Sequence, residues 1–291
     1  MTTFRTKIIV NPNSGHKDAQ QSERDIDRYL DKTRFDYDIE RSKYRGHTAE
    51  LAKEAVDNNY DLVIAVGGDG TVNEIGSVLT DTETAMAILP KGSGNGVARC
   101  LQIPVKFKKA IEHLKYSATF QRIDTALLNN RPFIGLAGIG FDGLISHEFD
   151  RYASRGLTGY LRAVGKHFLK FKPAMFTVST EDEKIEVKGF LAVIANSDQF
   201  GNNARIAPKA NMQDGLLNMV IVKDAPKITL LTAVLRLFGK NFDKSKNAVT
   251  LKGKYFKIET TFHHAHLDGE PIEAESPIEV KIKPASLKMF V

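Results

Sequence analysis

The chain has 291 residues, of which 42% are hydrophobic and 26% charged, as expected for a globular protein of one large or two ordinary domains. No apolar run approaches the ~18 residues of a membrane span, and the opening MTTFRTKIIV has no signal-peptide pattern, so neither a membrane-spanning nor a secreted protein is expected. The net charge of +6 permits contact with an anionic surface, but no basic tail, zinc-finger spacing or RNP-like aromatic strand points to nucleic acid as a partner.

Strands and helices alternate in the first part of the chain. Short apolar runs predict buried strands, and a helix-compatible segment follows each of them. The predicted strands are residues 7–10, 35–39, 62–65 and 85–89, and the predicted helices are residues 17–30, 48–56, a stretch from about 72, and 105–116. This alternation implies right-handed crossovers and a parallel sheet, which binds ligands at the carboxyl ends of its strands.

Turn-forming loops follow three of these strands. They are NPNSG at 11–15, GGDGT at 67–71 and PKGSGNG at 90–96. Glycines let backbone N–H groups approach an anion, and the positive end of the following helix dipole favours the same anion. The two glycine-rich loops, at 67–71 and 90–96, therefore predict a phosphate site, in which Asp69 supplies a carboxylate for a metal or a bound water. For each loop taken alone, a plain strand-to-helix turn is the alternative.

The pattern changes near residue 120, where short strands separated by turn residues begin. The predicted strands are residues 120–128, 133–139, 176–179 and 190–195. This spacing predicts a mostly antiparallel second domain over residues 125–285, after a first domain over residues 1–124. Helical segments at 151–172 and 226–239 either pack onto the sheets or form a basic, apolar lip that meets a lipid surface.

Several single residues in the chain have simple structural interpretations. Cys100 excludes an internal disulfide, fits a reducing cytoplasm, and is expected to be a small buried hydrophobe. Asp214-Gly215 and Asp268-Gly269 are both typical of hairpin turns, and Asp268 is expected only to shape its turn. The histidines at 263, 264 and 266 lack a fourth zinc ligand and are expected to be surface residues.

Residues 61–76, DLVIAVGGDGTVNEIG, resemble the GGDGT-x-NE signature of the diacylglycerol kinase catalytic domain family, which includes sphingosine, ceramide and bacterial lipid kinases. The loop at 11–15 resembles the family's NPxSG, the loop at 90–96 its P-x-G-[ST]-x-N, and residues 196–217 its Asn-to-DGLL stretch. The sequence GSGN at 92–95 is closer to that of the sphingosine and ceramide kinases than to the bacterial GTAND form. Gly96 stands where the bacterial pattern has an acid, which leaves that acid's role vacant or moved.

The resemblance implies an α/β plus β fold. Its parts are an N-terminal three-layer α/β nucleotide-binding domain and a C-terminal, mostly antiparallel β-sandwich domain. The family places the active site in the cleft between the domains, and its last strand, here residues 286–291, returns to the first domain.

The resemblance also implies transfer of the γ-phosphoryl group of ATP to a lipid hydroxyl, with Mg²⁺. The residues implied in holding the nucleotide are Asn11, Ser42, Gly67, Gly68, Asp69, Gly70, Thr71, Val72, Asn73 and Ser93. Asp69 would orient the phosphates, and Glu270, in a D-G-E motif, would be the general base. Magnesium would be held by the Asp214 side chain with the backbone carbonyls of Asn211 and Leu216.

Two other functions remain open from the sequence. An NAD kinase shares GGDGT but not the stretch at 196–217, and a non-catalytic nucleotide sensor would bind ATP without turnover. The expected partners are a lipid alcohol and an anionic membrane surface, and a homodimer is left open. The expected location is the cytoplasm, peripheral to the inner face of the membrane.

Overall fold

The structure is a computed structural model that describes residues 3–15, 18–116, 118–150, 157–239 and 242–291. The chain divides into two compact units, Met1–Asp124 with Ala285–Val291, and Thr125–Pro284. The strands are β1 (Phe4–Val10), β2 (Phe35–Arg41), β3 (Leu62–Gly67), β4 (Ala85–Pro90), β5 (Phe120–Leu128), β6 (Arg131–Phe133), β7 (Leu136–Gly140), β8 (Ala174–Ser179), β9 (Lys184–Ala195), β10 (Leu217–Lys223), β11 (Ala248–Gly253), β12 (Tyr255–Thr260), β13 (His264–Leu267), β14 (Glu270–Glu273) and β15 (Ile278–Phe290). The helices are α1 (Ala19–Tyr29), α2 (His47–Asp57), α3 (Asp69–Leu79), α4 (Gly96–Cys100), α5 (Phe107–Tyr116), α6 (Phe141–Asp150), α7 (Leu157–Phe168) and α8 (Lys227–Phe238).

The first unit is built on a parallel sheet in the order β4–β3–β1–β2. β3 and β4 are buried along their whole length, as expected for strands covered on both faces. The chain moves from β1 out to β2, then back past β1 to β3 and β4. Right-handed connections therefore place α1 on one face and α2 and α3 on the other, which gives the predicted three layers.

The end of β15 belongs to this first unit. It runs parallel to β4, with Met289 opposite Met86. The Phe290 ring is 1% exposed and lies 5.7 Å from Phe4 and 6.2 Å from Phe35, centroid to centroid. The final strand therefore contributes directly to the aromatic core of the first unit.

The second unit consists mainly of antiparallel strands, as the sequence predicts. β9 has three partners: its second half pairs with β7 and β10, and its first half pairs with β8. In a β-sandwich, the two sheets are joined by strands that change partners along their length, as β9 does. Phe133, Phe176 and Phe256 fill the core under these strands, each 0% exposed.

Helices α6 and α7 cover a second core in this unit. Phe141 and Ile145 of α6 pack there with Ala163 of α7. The sequence prediction of a helix at 151–172 corresponds in part to α7, and residues 151–156 of that segment lie outside the described residues. The sequence did not predict α6.

Candidate functional site

The glycine loops after β3 and β4 touch each other backbone to backbone in the first unit. A Cβ atom added to Gly68 would lie 3.1 Å from the Gly92 Cα, and one added to Gly92 would lie 2.6 Å from the Gly68 Cα. The N–H of Lys91 also donates to the Gly67 carbonyl at 2.8 Å. Two glycines are required here because their backbones approach too closely for side chains.

The loop after β1 joins the same place. The Asn11 side chain donates to Thr71 Oγ1 at 2.9 Å, which ties the NPNSG loop to the GGDGT loop. Gly15 has a φ of +68°, and a Cβ there would collide with the Lys91 carbonyl. The three loops predicted from the sequence are therefore brought together by side-chain and backbone contacts.

Helix α3 begins directly at these loops. Gly68 is its N-cap residue, with a φ of −99°, and Asp69 lies in the first turn. The N–H groups of a first helical turn lack intrahelical acceptors and attract anions. The Asp69 carboxylate accepts a hydrogen bond from the Val97 N–H of α4 at 3.4 Å. Asp69 thus links the first turn of α3 to the helix that follows the second glycine loop.

The second loop contains a buried polar group. Asn95 has a left-handed backbone (φ 51°), and its Nδ2 donates to the Gly92 carbonyl at 2.7 Å. Its buried Oδ1 has no hydrogen-bond partner among the described residues. Ser93, predicted to contact phosphate, is exposed at the tip of this loop. Cys100, predicted to be buried, is half-buried at the end of α4.

Two further residues from the sequence analysis, Ser42 and Glu74, make structural contacts in the first unit. Ser42 is buried just after β2, and its N–H donates to the Val10 carbonyl at 2.9 Å. Glu74, the last residue of the signature, accepts a hydrogen bond from Thr48 of α2. Glu74 therefore ties α2 to α3.

The predicted magnesium ligands Asn211, Asp214 and Leu216 lie in one loop, just before β10. The Asp214 carboxylate accepts from the Leu216 N–H at 3.1 Å and from Lys252 Nζ at 2.9 Å. One carboxylate with nearby backbone carbonyls is the donor chemistry that Mg²⁺ prefers. The Lys252 side chain is 46% exposed, and an exposed ion pair of this kind is weak enough for a divalent cation to displace. The loop therefore fits magnesium.

The β13–β14 hairpin of the second unit places Glu270 directly after a two-residue turn. Asp268 and Gly269 both have positive φ, 49° and 88°, as in the type I′ turns that favour Asp-Gly. Glu270 is half-buried at the start of β14, opposite Leu267. The sequence prediction of a hairpin here is confirmed.

Asp268 does more than shape this turn, contrary to the expectation from the sequence. Its carboxylate accepts backbone hydrogen bonds from Ile134, Gly135 and Leu136, each 2.8 Å long. The side chain of Asn196 donates to the Ile134 carbonyl at 2.7 Å. The D-G-E motif and the motif beginning at Asn196 therefore hold the same short segment after β6, the first through its N–H groups and the second through the Ile134 carbonyl.

The three clustered histidines have different environments. His263 and His264 are exposed, as expected, and His264 Nδ1 lies 3.0 Å from Glu273 Oε1. His266 is buried, and the surface prediction is wrong for it. Its Nε2 lies 2.8 Å from Asp142 Oδ2, and its Nδ1 accepts from the Gly269 N–H at 3.2 Å. Burial alone would lower the pKa of His266, but the Asp142 carboxylate outweighs this effect and raises it.

Two features of the site were missed in the sequence. Asp142 and Ser146, which contact the hairpin, lie on the unpredicted helix α6. The apolar residues Phe141, Leu144 and Ile145 have helical spacing and were the available signal for that helix. The pairing of Lys252 with Asp214 had no local signal, because the two residues meet only through the pairing of β10 with β11.

No helix in the described part of the chain is both long and apolar enough to cross a bilayer.

Comparisons with known proteins cover almost the whole chain. The model of the diacylglycerol kinase catalytic domain matches residues 5–128. The model of the YegS C-terminal NAD kinase beta sandwich-like domain matches residues 135–291. The two matched regions follow one another in the order that the sequence motifs predict.

Individual relatives agree with these models. A Diacylglycerol kinase of Mycobacterium tuberculosis (strain H37Rv) is 26% identical over 305 residues, covering 98% of this chain and 94% of that protein. An uncharacterized protein of Synechocystis is 29% identical over 248 residues, 82% of this chain and 57% of that protein. The crystal structure of a diacylglycerol kinase from Bacillus anthracis str. Sterne has a TM-score of 0.75 and 21% identity, covering 99% of this chain and 97% of that one. The structural likeness confirms the predicted fold.

Proposed function

The chain belongs to the diacylglycerol kinase catalytic domain family, and on that premise we propose that it transfers the γ-phosphoryl group of ATP to the hydroxyl group of a lipid. One observation carries the proposal. The two glycine loops after adjacent parallel strands are in backbone contact at Gly68 and Gly92, beside the first turn of α3. A backbone packed without side chains, next to a helix N-terminus, is suited to the phosphates of a nucleotide.

The first unit would bind the triphosphate. The residues proposed to hold it are those of the segment Gly67–Asn73, together with Asn11, Ser42 and Ser93. Backbone N–H groups would donate to phosphate oxygens, and Asn11 would keep Thr71 in place through its 2.9 Å hydrogen bond. Asp69 would orient the phosphates through a metal or a bound water.

The second unit would supply the base. In the proposed reaction the lipid oxygen attacks the γ-phosphorus, the bond to the β–γ bridging oxygen breaks, and ADP leaves. The alcohol proton passes to the Glu270 carboxylate. Phosphoryl transfer depends mainly on positioning and charge neutralisation, and a carboxylate on a rigid hairpin provides a positioned acceptor for the proton.

Magnesium would be held by Asp214 and the carbonyls of Asn211 and Leu216. When bound, it supplies positive charge that offsets the charge of the phosphates. Lys252 would have to give up its contact with Asp214, since one carboxylate oxygen now faces its ammonium group at 2.9 Å.

The Asp214→Ala variant is expected to keep its fold and to need a much higher magnesium concentration for turnover. The change removes the only side-chain ligand of the proposed set, and the backbone carbonyls alone bind weakly. Binding of Mg²⁺ by calorimetry, together with a magnesium titration of activity, measures both effects. Asp224→Ala is the matched control, because Asp224 is also an exposed aspartate paired with a lysine, Lys188, at 2.9 Å. Wild-type magnesium binding and activity in Asp214→Ala would remove Asp214 from the site.

The lipid would be reached from a membrane surface, and α7 and α8 are the proposed contact. Lys227 at the start of α8 donates to the Phe171 carbonyl at 2.9 Å, so the two segments meet there. Near this contact, Leu169 is 75% exposed and Ile228 is 69% exposed. Four basic residues in α7 and just after it are exposed: Arg162, Lys166, Lys170 and Lys172. Apolar side chains among cations suit an anionic lipid surface.

The double variant Leu169→Asp/Ile228→Asp is expected to lose most of its binding to vesicles containing phosphatidylglycerol. Each aspartate removes an apolar anchor and adds a charge that the anionic surface repels. Vesicle co-sedimentation measures the loss. Tyr116→Asp is the control, because Tyr116 is 74% exposed but lies on α5 of the first unit. Equal loss in the control, or none in the double variant, would rule out this contact.

The proposed activity is tested by incubation with labelled ATP and a panel of acceptors. The panel contains diacylglycerol, phosphatidylglycerol, a sphingoid base, an undecaprenyl-type alcohol and NAD. Label in one of the lipids is the expected result and identifies the acceptor. Label in NAD and in no lipid would establish the NAD kinase instead, and ATP binding without transfer to any acceptor would establish a sensor.

A further inference from the structure

We propose that Ser146, His266 and Asp142 form a clamp that positions Glu270. The clamp residues act through the backbone: they fix the N–H and the carbonyl of Gly269, the residue that joins Glu270 to the turn. This inference rests on the proposed base role of Glu270 and adds positioning residues to it.

Gly269 is the residue of this hairpin that most needs fixing. Its φ is +88°, and a Cβ added to it would meet nothing within 4 Å, so a side chain at this position would have no neighbour to hold it. Glycine also has more backbone freedom than any other residue. Without further contacts, the residue before Glu270 would be the loosest point of the turn.

Helix α6 fixes the carbonyl side of Gly269. Ser146 Oγ donates to the Gly269 carbonyl at 2.6 Å. The helix lies so close to the hairpin that a Cβ on Gly143 would collide with the His264 carbonyl. The Nε2 atom of the next residue, His147, lies 3.0 Å from the carbonyl oxygen of Ile272, which is further along β14. The helix therefore holds the hairpin on both sides of Glu270.

The buried pair fixes the amide side of Gly269. The N–H of Gly269 donates to His266 Nδ1 at 3.2 Å, and His266 Nε2 lies 2.8 Å from Asp142 Oδ2. Both side chains are almost fully buried, with 5% and 7% exposed. Gly138 leaves the space for this pair, since a Cβ there would collide with both. In the neutral imidazole whose Nε2–H donates to Asp142, Nδ1 is the acceptor that the Gly269 N–H requires.

The carboxylate of Asp268 completes the arrangement from the preceding residue, through its hydrogen bonds to Ile134, Gly135 and Leu136. The residues on both sides of the Asp268–Gly269 peptide are thus held by buried groups. Catalytic side chains act efficiently when hydrogen bonds and packing behind them fix their geometry. The many contacts to a two-residue turn are explained by the need to place Glu270.

The test is Ser146→Ala, alone and combined with Glu270→Gln. Ser146→Ala removes the hydroxyl that holds the Gly269 carbonyl and is expected to lower kcat roughly 10-fold, with KM for ATP unchanged. Ser146→Thr restores a hydroxyl and is expected to recover kcat to within about twofold of the wild type. In a Glu270→Gln background, Ser146→Ala is expected to change kcat less than about twofold, because no base is left to position.

The controls separate the clamp from general stability and from the proposed function. Ser22→Ala removes a buried hydroxyl that contacts the Asp18 carbonyl at 3.4 Å in α1, and it should leave kcat unchanged. An equal loss of kcat in Ser146→Ala and Ser22→Ala would overturn the clamp. So would the same fold-loss of kcat from Ser146→Ala in the wild type and in the Glu270→Gln background. Full activity in Ser146→Ala beside an impaired Glu270→Gln would overturn the clamp alone. Full lipid-kinase activity in Glu270→Gln would overturn the proposed base and the clamp with it.

Discussion

The Glu270→Gln variant is expected to turn over roughly 10²–10⁴-fold more slowly than the wild type, with nearly unchanged affinity for ATP. A lipid alcohol is a poor nucleophile at neutral pH, and glutamine keeps the shape of the side chain but cannot accept the proton. The groups proposed to bind phosphate lie in the first unit, so ATP affinity should not depend on this substitution. Steady-state kinetics with the accepted lipid and calorimetric titration with ATP measure the two effects separately.

Glu273→Gln is the control for this variant. Glu273 lies on the same strand, its side chain is 60% exposed, and its hydrogen bond to His264 is a surface contact. Asp268→Asn is unsuitable as a control, because its amide NH2 would face backbone N–H groups whose hydrogen bonds the carboxylate now accepts. A loss confined to ATP affinity would show that Glu270 serves the nucleotide. Full activity would mean that the base lies elsewhere or that none is needed.

The Gly68→Val variant is expected to bind ATP roughly 5- to 150-fold more weakly, which corresponds to the ~1–3 kcal/mol cost of forcing a side chain into a packed site. The reason is contact with the neighbouring loop: the first side-chain carbon would lie 3.1 Å from the Gly92 Cα, and the two methyl groups of valine extend beyond it. The φ of Gly68 is −99°, so the strain that a positive φ would add does not arise. ATP titration and thermal melting together measure the change.

Gly165→Val is the matched control for the glycine contact. A Cβ at Gly165 would meet nothing within 4 Å, so the same substitution there should leave ATP affinity unchanged. Unchanged ATP affinity in a folded Gly68→Val protein would contradict the assignment of the glycine loops to phosphate.

The sequence predicted the parts of the fold and site that depend on local pattern. The strand–loop–helix order of residues 62–76 and the Asp-Gly turn before Glu270 each contain their own structural signal within a few residues. The two domain types followed from the change in strand spacing near residue 120. These predictions needed no knowledge of which distant segments meet.

The sequence could not predict the contacts that depend on tertiary structure. His266 and Asp142 are 124 positions apart and meet only because α6 packs against β13. Their burial turned an expected surface histidine into part of a buried pair. The role of Asp268 was missed for the same reason, since a carboxylate that shapes its own turn and one that holds a distant segment have the same local sequence.

The position of β15 has a consequence for how the protein folds during synthesis. The aromatic core of the first unit includes Phe290, which packs against Phe4 and Phe35 from the start of the chain. The ribosome makes residues 1–124 first, yet these residues must wait for all of residues 125–284 before β15 can be added beside β4. Contacts between residues so far apart in the chain form slowly. The first unit, although its residues 1–124 are translated first, therefore cannot have its full core before residues 125–284 have emerged.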